Sequence, residues 1–315
     1  MTKYDGYLVH VLPTQRCNLQ CEYCYSDAMY TDNGTSNLID ENYIEAVANL
    51  INSLSVTVIH LEGGEPLLFE GIYSLIKKIE CKEKIFLVTN GYLLNANIAK
   101  NLKDCGLKHV IVSIDYASGA SAKKKSCIRS LELLKRVGMH TEISVTMLKD
   151  NLPEMEALFE VAAENDVDRI RFGEIVRVGA AQKNIITYLT STDYESIIPN
   201  FMKISAKYPS IDSALSLNGN IYDECAETFR KRYDAIFEKR KCNMSETMIT
   251  IDDVGDIYTC CNLVGKKSFF IGSVYDPWEE TLCSENYEKI KNVEWKSCPV
   301  GRGYHLNVEG GRCWI

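Results

Sequence analysis

Three cysteines lie within eight residues near the start of the chain, in the segment Cys17-Asn18-Leu19-Gln20-Cys21-Glu22-Tyr23-Cys24. Cysteine thiolates are the usual protein ligands of iron-sulfur clusters, and three thiolates on a four-iron cluster leave one iron open to another molecule. Zinc also accepts thiolates, but a structural zinc site needs four ligands, and no fourth cysteine or histidine adjoins the three. The spacing therefore favours an iron-sulfur cluster held by Cys17, Cys21 and Cys24, with zinc as the alternative.

A glycine-containing segment, Glu62-Gly63-Gly64-Glu65-Pro66, follows the second strand-like run of the chain. Glycines let the backbone approach a ligand closely, and a carboxylate beside them accepts hydrogen bonds from an ammonium group. A plain glycine turn is the alternative. Two further segments, Thr89-Asn90-Gly91 and Ser113-Ile114-Asp115, close the next two apolar runs, although Asn-Gly and Asp are also ordinary turn residues.

Taken together, these segments resemble those of the radical S-adenosylmethionine (SAM) enzymes. The family signature is three cysteines separated by three and then two residues, often with an aromatic residue before the third, and Cys17, Cys21, Tyr23 and Cys24 match it. The resemblance implies a [4Fe-4S] cluster that binds SAM and, once reduced, yields a 5′-deoxyadenosyl radical that abstracts a substrate hydrogen. It also implies contacts to SAM from Gly63, Gly64, Glu65, Pro66, Asn90, Ser113 and Asp115.

The C-terminal part of the chain carries a second set of cysteines, and the whole chain holds 13. Because cytosolic thiols seldom form structural disulfides, metal ligation explains so many cysteines better. The set resembles the SPASM and shorter twitch extensions of peptide-modifying radical enzymes, which hold auxiliary clusters. Its six cysteines include no Cys-x-x-Cys pair, so the resemblance implies one auxiliary [4Fe-4S] cluster. The expected ligands are Cys242, Cys260, Cys298 and Cys313, with Cys261 and Cys283 in reserve.

Cys261 directly follows an expected ligand and has a second interpretation. The run Ile257-Tyr258-Thr259-Cys260-Cys261 is similar to a doubled cysteine in peptide epimerases of this superfamily, which return a hydrogen atom to the substrate radical. The resemblance implies that Cys261 is a hydrogen donor, and a packed cysteine in a hairpin is the alternative. Three other cysteines fall on expected barrel elements and are interpreted as small buried hydrophobic residues: Cys81, Cys105 and Cys127.

Six strand-like runs alternate with helix-like segments over the first 175 residues, which is the pattern of a parallel sheet covered by helices. From the second run onward they start 24 to 33 residues apart, as successive βα units with right-handed crossovers do. The predicted fold is α/β, a partial (β/α)6 TIM-like barrel with ligands at the strand carboxyl ends, followed by a small C-terminal α+β cluster-binding domain. The expected strands are Tyr7–Leu12, Val56–Leu61, Ile85–Thr89, His109–Asp115, Glu142–Met147 and Arg169–Glu174.

The expected domains are the radical SAM barrel over 1–185, a helical bridge over 186–240 and the auxiliary cluster domain over 241–315. Helices are predicted at Tyr43–Leu54, Ser191–Lys207 and Ile221–Lys239. The appended domain contains a predicted hairpin, because Met248–Ile251 and Ile257–Thr259 flank an acidic turn with a glycine, Gly255.

Composition and charge disfavour several classes of protein. A net charge of −8 is unlike that of a nucleic-acid-binding domain, which is normally basic. The apolar runs are far shorter than the ~20 residues needed to span a bilayer, and the N-terminus lacks an export signal. We therefore expect a cytoplasmic enzyme with neither nucleic acid nor membrane as a partner.

The resemblance implies radical modification of a ribosomally made precursor peptide, by thioether or carbon–carbon crosslinking or by epimerisation. Dehydrogenation or rearrangement of a small molecule such as a sugar is the alternative within the family, and a metal-stabilised scaffold is the alternative outside catalysis. Because only 16 residues precede Cys17, the peptide is expected to bind at the barrel mouth and bridge, or to arrive on a separate peptide-recognition protein. A flavodoxin or ferredoxin type protein is the expected electron donor.

Overall fold

The computed structural model describes residues 6–26, 40–117, 122–234, 238–239, 247–291 and 302–308. The chain begins with β1 (Tyr7–Val11), α1 (Glu41–Ser53), β2 (Val56–Leu61), α2 (Ile72–Lys78), β3 (Ile85–Thr89), α3 (Ala96–Asp104), β4 (His109–Ser113), α4 (Ala122–Arg136), β5 (His140–Met147), α5 (Met155–Glu164) and β6 (Arg169–Glu174). It continues with α6 (Ala180–Lys183), α7 (Ser191–Ser205), β7 (Asp212–Asn218), α8 (Gly219–Asp223), α9 (Glu227–Tyr233), β8 (Glu238–Lys239), β9 (Met248–Ile251), β10 (Asp256–Tyr258), β11 (Phe270–Ser273), α10 (Trp278–Leu282), α11 (Glu285–Lys291) and β12 (Arg302–Val308). Within these ranges, no helix combines the length and the apolar character that crossing a lipid bilayer requires.

The chain forms two compact units, of which the first consists of Met1–Thr89, Ala96–His109 and Asn243–Glu294. Its strands lie in the order β11-β10-β9-β1-β2-β3. Strand β1 pairs in parallel with both β2 and β9, so that Val9 lies opposite Ile59 on one side and Ile249 on the other. The first unit therefore joins the first three strands of the chain to strands from its C-terminal part.

Apolar periodicity and a side-chain cap account for the first helix of this unit. Helix α1 begins after Asp40, whose side chain accepts hydrogen bonds from the backbone N–H groups of Asn42 and Tyr43. Its buried residues recur three and four positions apart, as those of an amphipathic helix do, and include Ile44, Val47 and Ile51.

The second unit consists of Asn90–Asn95, Val110–Cys242 and Trp295–Ile315. Its strands lie in the order β4-β5-β6-β7-β12-β8, with β5, β6 and β7 parallel and β12 antiparallel to both of its neighbours. Three aromatic rings form part of its core: Phe172 of β6 stacks on Phe159 of α5 at 5.7 Å and meets Phe201 of α7 edge to face at 5.9 Å. Helices α5 and α7 therefore pack on the same face of β6.

The α/β class with a parallel sheet core is confirmed, and each of the six expected strands is present within two residues of its predicted bounds. The predicted hairpin is also present, because β9 and β10 pair antiparallel with Ile251 opposite Ile257. At its turn Gly255 has a φ of +89°, a conformation that glycine adopts without the strain of a Cβ.

The structure differs from the prediction at two places after β6. The single helix expected over Ile221–Lys239 is wrong, because α8 ends at Asp223 and α9 begins only after Ala226, whose ψ of 138° interrupts a helix. Strand β7 was not predicted, and it pairs in parallel with β6. Its alternation of serines with apolar residues gives little sign that most of its residues are buried.

Candidate active site

The glycine segment, residues 62–66, is hydrogen-bonded to the start of the cysteine loop, residues 12–26. The backbone N–H of Gly64 donates to the carbonyl of Thr14 at 3.0 Å, and that of Glu65 donates to the carbonyl of Arg16 at 2.8 Å. Arg16 immediately precedes Cys17 in the chain. The fold therefore brings together the two segments that the sequence singled out first.

The backbones of the two segments are so close that positions 63 and 64 both need glycine. A Cβ on Gly64 would overlap the carbonyl oxygen of Arg16 and lie 2.7 Å from its carbonyl carbon. Gly63 has a φ of +115°, and a Cβ there would lie 3.0 Å from the carbonyl oxygen of Thr14. Glycine at these positions thus allows the backbone of the glycine segment to touch the backbone of the cysteine loop.

Glu65 is fully buried, and its hydrogen bonds fix the direction of its carboxylate. Its Oε1 accepts from the hydroxyl of Thr89 at 2.8 Å and from the backbone N–H of Leu67 at 3.1 Å. The second bond caps a short 3-10 helix over Pro66–Leu68, with proline in its first turn. Thr89 closes β3, so Glu65 connects the carboxyl ends of β2 and β3.

The three cysteines of the loop are all half-buried. The backbone N–H of Cys24 donates to the carbonyl of Cys21 at 3.2 Å, which folds the end of the loop into a turn. Three cysteine side chains on one short loop are donors of the kind that an iron-sulfur cluster takes.

The other residues expected to contact SAM belong to the second unit. Asn90 follows β3, and its side-chain oxygen accepts from the backbone N–H of Tyr92 at 3.0 Å. Ser113 ends β4 and is half-buried. The carboxylate of Asp115 accepts from the backbone N–H of Thr146 at 2.8 Å, so it connects the chain after β4 to β5. All three lie at or just beyond a strand carboxyl end, where parallel α/β folds bind ligands.

Of the four expected auxiliary ligands, Cys260 lies within the described residues, whereas Cys242, Cys298 and Cys313 lie outside them. Cys260 is buried and directly precedes a 3-10 helix over Cys261–Leu263. Of the two reserves, Cys261 is half-buried and Cys283, at the end of α10, is exposed.

Two of the cysteines interpreted as packing residues are buried and act as hydrogen-bond donors. The thiol of Cys105 donates to the carbonyl of Leu102 at 3.2 Å, and the thiol of Cys127 donates to the carbonyl of Asn90 at 3.1 Å. Burial raises the pKa of Cys105, which disfavours the thiolate that a metal needs. Cys81 departs from the expectation because it is half-buried.

A polar cluster that sequence reasoning missed lies at β1 and β2. His10 of β1 is opposite His60 of β2, and the Nδ1–H of His10 donates to Oε1 of Glu62 at 2.6 Å. A ring nitrogen of His10, a carboxylate oxygen of Glu62 and Sγ of Cys261 all lie within 4.8 Å of one another. The available signal was a histidine placed between two valines in the first strand, a position that is usually apolar.

Comparisons of the sequence with known families and proteins give the following matches. The family model described as Radical SAM superfamily matches residues 11–162. The sequence is 31% identical over 244 residues to a GTP 3′,8-cyclase from Clostridium perfringens (strain 13 / Type A), across 73% of this chain and 72% of that protein.

Two solved structures share the fold. SuiB from Streptococcus suis, bound to the precursor peptide SuiA, matches with a TM-score of 0.72 and 15% identity, over 91% of this chain and 67% of SuiB. The enzyme anSMEcpe, bound to AdoMet and the Cp18Cys peptide, matches with a TM-score of 0.62 and 18% identity, over 90% and 81% of the two chains. These likenesses agree with the predicted α/β fold of the partial TIM-like barrel kind.

Proposed function

Because this chain belongs to the radical SAM superfamily, we propose that it modifies a ribosomally made precursor peptide by radical chemistry, through crosslinking or epimerisation. Membership makes it a radical SAM enzyme and implies a [4Fe-4S] cluster with SAM. The observation that supports the radical SAM part of the proposal is the pair of hydrogen bonds by which Gly64 and Glu65 hold the cysteine loop. The peptide part is supported by the structural matches to SuiB and anSMEcpe.

The residues of the cysteine loop fit the cluster that the family implies. We assign its ligands to Cys17, Cys21 and Cys24, because three half-buried thiols on one short loop offer the donors such a cluster needs. When bound, the cluster and SAM supply the 5′-deoxyadenosyl radical that abstracts a substrate hydrogen. The chain itself has to bind the substrate, orient it and keep water away.

Residues at the strand ends are proposed to bind SAM. Gly63, Gly64, Glu65 and Pro66 follow β2, and the backbone N–H groups of Gly64 and Glu65 donate to carbonyls at the start of the cysteine loop. The hydrogen bonds of Glu65 to Thr89 and Leu67 keep its carboxylate in one orientation. Further contacts to SAM are proposed from Asn90, Ser113 and Asp115.

An auxiliary [4Fe-4S] cluster is a second part of the proposal. Its proposed ligands are Cys242, Cys260, Cys298 and Cys313, with Cys283 in reserve. Its support is the resemblance of the C-terminal cysteines to SPASM and twitch extensions. A flavodoxin or ferredoxin type donor remains our expectation for the source of electrons.

A peptide substrate is favoured by the extent of the structural matches. SuiB and anSMEcpe, both solved with peptides, match about nine tenths of this chain, including residues beyond the 11–162 of the family model. Conversion of a small molecule is the second candidate, and it is favoured by the 31% identity to a GTP 3′,8-cyclase. Direct turnover assays separate the two candidates.

The first experiment tests radical formation. Protein reconstituted anaerobically with iron and sulfide is treated with dithionite and SAM, and 5′-deoxyadenosine and iron are measured. The wild type is expected to form the product, and the Cys17→Ala, Cys21→Ala, Cys24→Ala variant is expected to form none while keeping about four irons of the auxiliary cluster. Cys81→Ala, at a cysteine outside both proposed ligand sets, is the control and should behave as the wild type. Zinc in place of iron, or product from the triple variant, would refute the assignment.

The second experiment identifies the substrate class. The reduced enzyme is incubated with GTP or with short peptides encoded beside its gene. Loss of the mass of two hydrogens from a peptide indicates crosslinking, and uptake of solvent deuterium without another mass change indicates epimerisation. Consumption of GTP with no change in any peptide would replace the peptide proposal by the small-molecule one.

Epimerisation requires a hydrogen donor, and we assign that role to Cys261. The thiol is half-buried and directly follows an assigned cluster ligand, Cys260. If the reaction is epimerisation, Cys261→Ser should still form 5′-deoxyadenosine from SAM but should no longer place solvent deuterium in the peptide. Unchanged deuterium uptake in this variant would remove Cys261 from the mechanism.

A further inference from the structure

We propose that His10, Glu62 and Cys261 form a binding site for one divalent cation of the zinc class. A nitrogen of His10, an oxygen of Glu62 and the sulfur of Cys261 all lie within 4.8 Å of one another. All three residues belong to the first unit of the chain. The inference goes beyond the proposed function, because this site needs neither SAM nor an iron-sulfur cluster.

Burial makes this cluster more than a chance grouping of polar side chains. The side chain of His10 has no exposed surface, and that of Glu62 is 13% exposed. Among the described residues, the buried Nε2 of His10 has no hydrogen-bond partner. A buried ring nitrogen without a partner is costly, which points to a group that binds there.

The neighbouring strand adds a second buried polar atom at the same place. Thr250 of β9 lies opposite His10 of β1 in the parallel pairing, so the two side chains share one face of the sheet. Within the described ranges, the buried hydroxyl of Thr250 also has no hydrogen-bond partner. His10 Nε2 and the Thr250 hydroxyl, on one face of two neighbouring strands, are suitable partners for a cation that carries a water molecule.

The donor set is the one that zinc takes at open sites. Imidazole nitrogen, carboxylate oxygen and thiolate sulfur are its three usual protein ligands, and three of them leave a fourth position for water. Bond lengths of about 2.0 to 2.3 Å place tetrahedral donors roughly 3.3 to 3.6 Å apart. No two of the three donor atoms are more than 4.8 Å apart, so small side-chain movements suffice.

Cation binding has a consequence for the thiol. A cysteine that ligates zinc has given its proton to the solvent, so Cys261 then has no S–H hydrogen to donate. The bound cation should therefore suppress hydrogen donation by Cys261 while leaving the cleavage of SAM unchanged. The proposed cation site and the proposed radical reaction can be refuted independently, because the cleavage of SAM is measured in its own assay.

The test uses tag-free protein whose iron-sulfur clusters are fully loaded, so that the cluster cysteines are already occupied. One equivalent of Zn²⁺ is added anaerobically, and its ligands are read by zinc K-edge X-ray absorption. The expected spectrum has one sulfur at about 2.3 Å and three nitrogen or oxygen donors at about 2.0 to 2.2 Å. Formation of 5′-deoxyadenosine and thermal unfolding are followed in parallel to confirm that each protein is folded.

Variants then assign the ligands one by one. Cys261→Ser should remove the sulfur from the zinc spectrum, and His10→Ala and Glu62→Gln should each weaken Zn²⁺ binding by about 10- to 100-fold or more. The matched controls are Cys81→Ser and His140→Ala, which should bind Zn²⁺ as the wild type does. Zinc surrounded by three or four sulfurs, or a spectrum that Cys261→Ser leaves unchanged, would overturn the proposal.

Discussion

Gly64 is the residue of the site whose identity the backbone constrains most, because it touches the carbonyl group of Arg16. In Gly64→Ala, the added methyl group has to displace the cysteine loop from the glycine segment. We expect a loss of about 1 to 3 kcal/mol in the free energy of unfolding, as for overpacking in a core. We also expect a large loss of 5′-deoxyadenosine formation, since the loop carries the assigned cluster ligands. Anaerobic denaturation and product analysis measure the two effects.

A second glycine provides the control for this prediction. A Cβ on Gly173, in β6, would meet no atom within 4 Å. Gly173→Ala should therefore keep both stability and 5′-deoxyadenosine formation close to those of the wild type. Full activity in Gly64→Ala would show that the contact between the two segments is unimportant for the reaction.

Asp252, in the turn between β9 and β10, gives a prediction about pH. Burial raises its pKa to about 6, although its Oδ1 accepts hydrogen bonds from the backbone N–H groups of Val254 and Asp256. The folded state therefore holds a proton that the unfolded state has released, and stability falls as the pH rises from about 4 to about 6. Asp252→Asn keeps the acceptor oxygen without the charge, so it should abolish this dependence and add up to roughly 2 kcal/mol at pH 7.

Denaturant unfolding between pH 4 and pH 7.5 measures this effect. The exposed Asp150, changed to Asn, is the matched control and should leave the pH dependence as it is in the wild type. An unchanged slope in Asp252→Asn would mean that this carboxyl group titrates normally.

At the scale of secondary structure, α7 depends on a capping box at its N-terminus. The hydroxyl of Thr190 accepts from the backbone N–H of Asp193, and the carboxylate of Asp193 accepts from the backbone N–H of Thr190. Thr190→Ala removes the first of these bonds and should cost about 1 kcal/mol of stability without affecting the cleavage of SAM. Thermal unfolding tests this, with the nearby exposed Thr187→Ala as a neutral control. A midpoint equal to that of the control would argue that the cap contributes nothing.

Local sequence patterns were sufficient to predict the strands of the parallel core. Runs such as Val56–Leu61 and Ile85–Thr89 combine apolar or β-branched residues with a sharp end, so their bounds could be predicted. The pattern failed at β7, where serines interrupt the apolar residues. It also failed to predict that β9 pairs with β1, because no local pattern encodes a partner that is distant in the sequence.

The candidate site was likewise predictable from the sequence in one part and not in another. Motif spacing identified the cysteine loop and the glycine segment, and the structure places them in contact. The cluster of His10, Glu62 and Cys261 could not be predicted, because its members come from three separate parts of the chain. The available sequence signal was the position of His10 between two valines in an otherwise apolar strand.

At the scale of the whole molecule, the first unit depends on both ends of the chain. A protein that ends at residue 240 lacks β9 and leaves one edge of β1 unpaired. Exposed edges of apolar strands promote aggregation, so we expect most of this truncated protein to be insoluble. Co-expression of residues 241–315 should restore part of the soluble yield, since β9 is then available. A truncated protein as soluble as the full chain would show that β1 does not need β9.

The pairing of β1 with β9 also determines when β1 can complete its hydrogen bonding during synthesis on the ribosome. Leu8 and its partner Met248 are 240 positions apart, so one side of β1 has no partner until β9 has been made. At about 5 to 20 residues per second, this wait lasts roughly 12 to 48 s. During that time the nascent β1 is open to incorrect pairing, and ribosome-associated chaperones are expected to contact this strand for longer than any later one.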